Sequence, residues 1–166
     1  ISLDFIVPLK LLTHWKKCSL VANFFGTYQS FSFKERKKIT SILSTITNEL
    51  LENAVKFTSN KNNLVTLSLR RYNDTISIQT INICEKAYIT NIKEIVSSLE
   101  KNKAEDIFLS HIESSAKSKN KTSSKLGLVS IIKDYGAKIG IKIEPQEHLY
   151  NLHIKMTLSA KKLDSI

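Results

Sequence analysis

Two cysteines, Cys18 and Cys84, are all that the 166 residues contain, and they share no short spacing with each other or with the four histidines. A disulfide framework and a cysteine–histidine zinc site are therefore excluded as organising features. No run approaches the roughly eighteen consecutive apolar residues that a membrane span needs, and Ile1 to Leu12 lacks the basic start and long apolar block of a secretory leader. We expect a cytoplasmic protein with no membrane partner. The chain does not begin with Met, so it is expected to start inside a longer product. Arginine is scarce as well: Arg36, Arg70 and Arg71 are the only ones among 25 basic residues. The net charge of +10 invites nucleic acid through counterion release. Base-edge and bidentate phosphate recognition, however, favour arginine over the lysines that dominate here. Those lysines are spread along the chain among many Asn, Ile and Ser residues, a skew that requires no ligand. Nucleic acid is thus not the expected partner.

With 42% hydrophobic and 24% charged residues, the chain can bury one sizeable core and is expected to form one domain over 1–166. Leu3 to Leu9, limited by Pro8, and Ser19 to Tyr28 are apolar, aromatic-bearing runs that read as two strands. Ser32-Phe33-Lys34-Glu35 has the capping-box pattern, so a long helix is predicted from there to about Phe57. Leu64 to Tyr72 and Thr75 to Ile83 alternate around Asn73-Asp74, which predicts a hairpin. Apolar residues recur at helical spacing on both sides of Lys101-Asn102-Lys103 and predict two helices. Ser114 to Ser124 is polar and reads as a mobile loop. A helix is predicted over Leu126 to Tyr135, closed by Gly136. A second hairpin should run from Lys138 to Glu144 and from Tyr150 to Leu158 across Pro145-Gln146-Glu147, followed by a frayed tail. This order fits an α+β, two-layer α/β sandwich, with helices on one face of a mixed, mainly antiparallel sheet.

Residues about 100° apart around the long helix place Ile39, Ile42, Leu43, Ile46, Leu50, Ala54 and Phe57 on one apolar arc. Asn53 falls inside that arc and Glu49 at its edge, one turn away. Burying such groups is costly without partners. A backbone hydrogen bond is the plain structural reading of the asparagine. The pair also admits a chemical reading: a carboxylate that orients water beside an amide oxygen that holds Mg²⁺, a hard cation with few protein ligands.

The stretch Glu49-Leu50-Leu51-Glu52-Asn53-Ala54-Val55-Lys56-Phe57-Thr58 resembles the N box of the histidine-kinase, gyrase, Hsp90 and MutL ATPase superfamily, in the form found in anti-sigma serine kinases. The resemblance implies the Bergerat ATP-binding fold over about Phe33 to Leu158, with residues 1–32 before it and a tail over 159–166. It implies ATP and Mg²⁺ as cofactors, Asn53 as the metal ligand, Glu49 as the general base and Lys56 as a phosphate contact. Ser123-Ser124-Lys125-Leu126-Gly127-Leu128 is similar to the family's second glycine box, whose helix start favours phosphate. Leu126, Gly127 and Leu128 are kept, whereas Ser123 and Lys125 stand where the family has glycine. Lys125 then supplies a cationic contact, or belongs to a solvated basic loop. Where the family's first glycine box has its adenine-reading aspartate, this chain has Asn82-Ile83-Cys84-Glu85-Lys86. Asn82 can still accept from an amino group, but no glycine follows.

None of His14, His111, His148 and His153 has the surroundings of a phosphoacceptor histidine. The leading expectation is an ATP-binding signalling regulator, with serine/threonine kinase activity on a STAS-type or response-regulator partner. Homodimerisation is left open. The alternative is a pseudo-ATPase that serves as a protein-binding scaffold or phosphotransfer adaptor, which the degenerate glycine boxes favour; the intact Glu49 and Asn53 favour the first.

Overall fold

A computed structural model describes residues 1–12, 14–58, 60, 62–117 and 123–165, with the side chains of residues 111, 114–117 and 123–125 left out. The elements run β1 (Ser2–Pro8), α1 (Leu9–Leu12), α2 (Trp15–Ser30), α3 (Arg36–Phe57), β2 (Leu64–Tyr72), β3 (Thr75–Cys84), α4 (Lys86–Lys101), α5 (Ala104–Lys117), α6 (Ser123–Tyr135), β4 (Lys138–Gln146), β5 (Leu149–Ser159) and α7 (Ala160–Ser165). The strands form a five-stranded sheet in the order β1-β2-β3-β5-β4.

Strand alternation divides the sheet into two faces. Val65, Leu67, Leu69, Ile76, Ile78, Leu152, Ile154, Met156 and Leu158 are all buried on one of them, as period-two patterning requires. α3 lies against β2 and β3, and α4 against β4 and β5. α2 packs mainly along α3, and α6 bridges α3 and α5. The opposite face carries polar and charged residues such as Ser68, Gln79 and Lys155, which stand in cross-strand register, and His153 two residues along β5. The result is a two-layer α/β sandwich.

Several expectations are corrected. Every strand pair is antiparallel, so the sheet is not mixed among the described residues. The run Ser19 to Tyr28 is not a strand but the body of α2. Its buried residues Cys18, Ala22, Phe25 and Gln29 follow helical spacing, while Leu20, Phe24 and Tyr28 are exposed on the other side. Being apolar on both sides, the run shows neither period clearly. The Ser32 capping box does not form: α3 starts at Arg36, and the Ser32 hydroxyl donates to the Gln29 carbonyl at 3.3 Å. Burial of Phe33, whose N–H donates to the Ser30 carbonyl at 2.9 Å, holds this segment in a turn.

The polar stretch Ser114 to Ser124 is helical at both ends, through Lys117 in α5 and from Ser123 in α6; residues 118–122 lie outside the description. The second hairpin turns at Glu147 and His148 because β4 runs on to Gln146. Pro145 is tolerated in β4 since an edge strand can spare a ladder donor. The tail is a helix, not frayed: Ala160 and Leu163 are buried. The Asp74 carboxylate secures it, accepting from the Ser159 hydroxyl at 2.7 Å and the Lys161 N–H at 2.6 Å.

Candidate functional site

The C-terminal half of α3 carries the polar pair where the apolar arc places it. Leu50, Leu51 and Ala54 are buried around it. Asn53 is 4% exposed, and its Nδ2 donates to the Glu49 carbonyl at 2.7 Å. The structural reading is therefore satisfied for the amide's donor end, while Oδ1 is the end this bond leaves over. Glu49 is half-buried. Burial holds its carboxyl above the ordinary carboxylate range, and the neighbouring Glu52 charge adds to the effect, as expected when desolvation and a like charge both disfavour ionisation. The carboxylate borders a cleft of about 240 Å³ between α2 and α3, which Asn23, Ser44, Thr45 and Asn48 also line.

Gly127 of α6 closes on Glu49 from another side. A Cβ on Gly127 would overlap the Glu49 carboxylate, with its Cδ only 2.7 Å away. Side-chain absence at this one position is what lets α6 approach the acid. Two segments 78 residues apart by subtraction, 127 less 49, are thus in contact. Leu128 is buried at 1% and belongs to the core, whereas Leu126 is half-buried. Lys125 begins the same helix, with its side chain outside the description.

No family model and no curated protein matches this sequence. Among solved structures, one chain of the SiaB–SiaC complex from Pseudomonas aeruginosa superposes with a TM-score of 0.68 at 8% identity, covering 94% of this chain and 89% of that one. That likeness is one of fold: it extends over nearly the whole α+β sandwich.

Asn82 sits at 2% exposure near the end of β3, facing the helical layer. Its Nδ2 donates to the Thr58 hydroxyl at 3.2 Å, and that hydroxyl donates to the Ala54 carbonyl at 2.5 Å. Thr58 therefore ties the third sequence-predicted residue to the end of α3. Its spacing carries no sign of this; only the Thr58–Cys84 bridge between the chain after α3 and the end of β3 creates it. Asn82 Oδ1 is buried without a hydrogen-bond partner among the described residues, an acceptor without a donor. Lys56 is not gathered into this cluster: it is exposed, its ammonium 5.3 Å from the Phe57 ring centroid. Phe57 in turn stacks on Tyr88 of α4 at 3.7 Å with 9° between planes. Burial pushes the Tyr88 hydroxyl well above its ordinary value and the Cys84 thiol up to about 11. Both are neutral, inert groups at physiological pH. No group of three or more His, Cys, Asp or Glu suited to a metal occurs among the described residues. Any cation here would rely on few protein oxygens, as Mg²⁺ does.

Proposed function

We propose that the chain is a nucleotide-binding signalling regulator of the histidine-kinase-like ATPase type, which acts through a protein partner. The observation that carries this reading is the contact of Gly127 with the Glu49 carboxylate: the two segments resembling family boxes are brought together. Asn53 Oδ1 would hold Mg²⁺, and the orphaned Asn82 Oδ1 would accept from the adenine amino group. Phosphate oxygens would be received at the start of α6 on the free N–H groups up to Lys125, with Leu126, Gly127 and Leu128 following in the same turn and Gly127 allowing close approach. ATP, when bound, supplies the phosphoryl group. Glu49 is suited to take a proton from an attacking serine or threonine hydroxyl, because a raised pKa makes a carboxylate a better base near neutral pH. A partner of STAS or response-regulator type fits a small regulator of this fold, and the similar chain is found in a complex named for two proteins.

A second reading is favoured by one specific feature. Asn53 and Asn82 are both nearly fully buried, and Phe57 at the end of α3 stacks on Tyr88 of α4, which suits a scaffold without turnover. Isothermal calorimetry with ATP and Mg²⁺ on the wild type and Asn53→Ala tests both. Heat that the variant abolishes supports the nucleotide site. A folded wild type that gives no heat sinks it and leaves the scaffold.

A further inference from the structure

α2 is apolar on the side that faces away from the protein. Its inner side buries Cys18, Ala22, Phe25 and Gln29 against α3. On its outer side Leu20 is 69% exposed, Phe24 50% and Tyr28 43%, with Phe31 at 63% just beyond the last turn. At 100° per residue these four fall within an arc of roughly 80°, and Lys16 and Lys17 lie within about 60° of Leu20 on the same side. Phe5 of β1 extends the patch, with its ring centroid 6.3 Å from that of Phe24. A cation stands beside the last of these rings: Arg36 over Phe31 at 5.1 Å. From Phe5 to Lys34 the sequence contains no Asp or Glu but includes Lys10, Lys16, Lys17 and Lys34. An exposed aromatic patch of this kind marks an interaction surface.

Charge selects the occupant. A second copy packed antiparallel on this face would set Lys16 and Lys17 of one chain near Lys34, Arg36 and Lys37 of the other, where Glu35 offsets only one of three cations. Protein interfaces are depleted in lysine, whereas helices that lie in a bilayer surface combine Trp, Phe and Leu with flanking lysines. We propose that the outer face of α2, with Phe5, docks on an anionic lipid surface. The rings enter the headgroup boundary and the lysines meet lipid phosphates. Such a helix lies on the membrane and need not span it.

Trp15 is the chain's single tryptophan but lies about 180° around α2 from Phe24, so the Trp15→Phe/Phe24→Trp double variant is used to place the emitting ring within the patch. The full chain is mixed with vesicles of phosphatidylcholine alone or with about 30% phosphatidylglycerol, which carry the negative surface that polybasic segments sense. Co-sedimentation of the wild type with the anionic vesicles and a blue-shifted emission of the double variant are expected, both weakened at high salt. Leu20→Asp should abolish binding, and the Lys16→Glu/Lys17→Glu double variant should lower it by roughly tenfold or more; circular dichroism checks that both remain folded. A folded wild type that ignores anionic vesicles overturns the proposal. So does a wild-type dimer in sedimentation velocity that Leu20→Asp converts to monomer, since the face would then be a self-association surface.

Discussion

α2 and α3 lie side by side and break the same rule in opposite directions. α3 is polar where it should be apolar: Glu49 and Asn53 interrupt its inner face, and the amide is nearly fully buried. α2 is apolar where it should be polar, with Leu20, Phe24 and Tyr28 exposed opposite its packed side. In a chain shaped only by core packing, neither departure would be expected, because local pattern and global fold normally agree. The first has partial internal compensation through the Asn53–Glu49 bond. The second has ring-to-ring contacts, Phe24 with Phe5 and with Tyr28, and these leave the outer side of the rings in water. The comparison teaches where to look for ligands: inward at the polar pair, outward at the aromatic stripe.

The largest effect should come from the part of α3 that obeys the rule. Leu50→Ala, at a site with 0% exposure, is expected to cost roughly 2–5 kcal/mol in urea unfolding through lost burial and the cavity left behind. A cost near zero would mean that α3 does not pack as described. Gly127→Ala should be milder, about 1–3 kcal/mol, because its new methyl meets the end of the Glu49 side chain, which can swing away. Repeating it in a Glu49→Ala background is expected to remove most of the cost, and a double-mutant cycle without such coupling would break the proposed contact.

Titration sharpens the comparison further. The folded Glu49 carboxyl keeps its proton above the ordinary 4.5 of the unfolded chain, so between those two pKa values the native state binds more protons. Its contribution is fully present below 4.5 and is lost as pH rises through the raised folded pKa. Glu49→Gln escapes that loss. Its melting-temperature advantage over the wild type should therefore be greater at pH 7 than at pH 4, and an equal advantage at both would show that the acid is not desolvated. The smallest effect belongs to α2: Leu20→Ala should change stability by no more than about 0.5 kcal/mol. A cost several times larger would mean that the residue is covered.

Much of this was legible before folding. The hairpin around Asn73-Asp74, the two helices on either side of Lys101-Asn102-Lys103 and the end of α3 at Phe57 all match. Their periods are clean and their turn residues have specific backbone roles; Asn73 adopts φ +49° and Gly136 φ +62°. The misreadings occur where pattern is ambiguous or a contact intervenes. α2 looked like a strand because two apolar sides leave no period, and the Ser32 cap yielded to the burial of Phe33. Of the site, Glu49 and Asn53 could be paired from one helix. Lys56, placed by resemblance, is exposed with its ammonium 5.3 Å from the Phe57 ring centroid.

Local periodicity acts over a few residues, and it is this that determined the alternating strands, the long helix and the placement of an acid and an amide one turn apart on its inner side. Whether that pair meets anything depends on residues far along the chain, and no local rule links position 49 to 127 or 58 to 82. The tertiary structure decided those meetings by close packing: the missing side chain at Gly127 admits the Glu49 carboxylate, and the Thr58–Cys84 bridge brings Asn82 to the end of α3. Packing also decided which side of α2 faces outward, since burial against α3 can satisfy only one of two apolar sides.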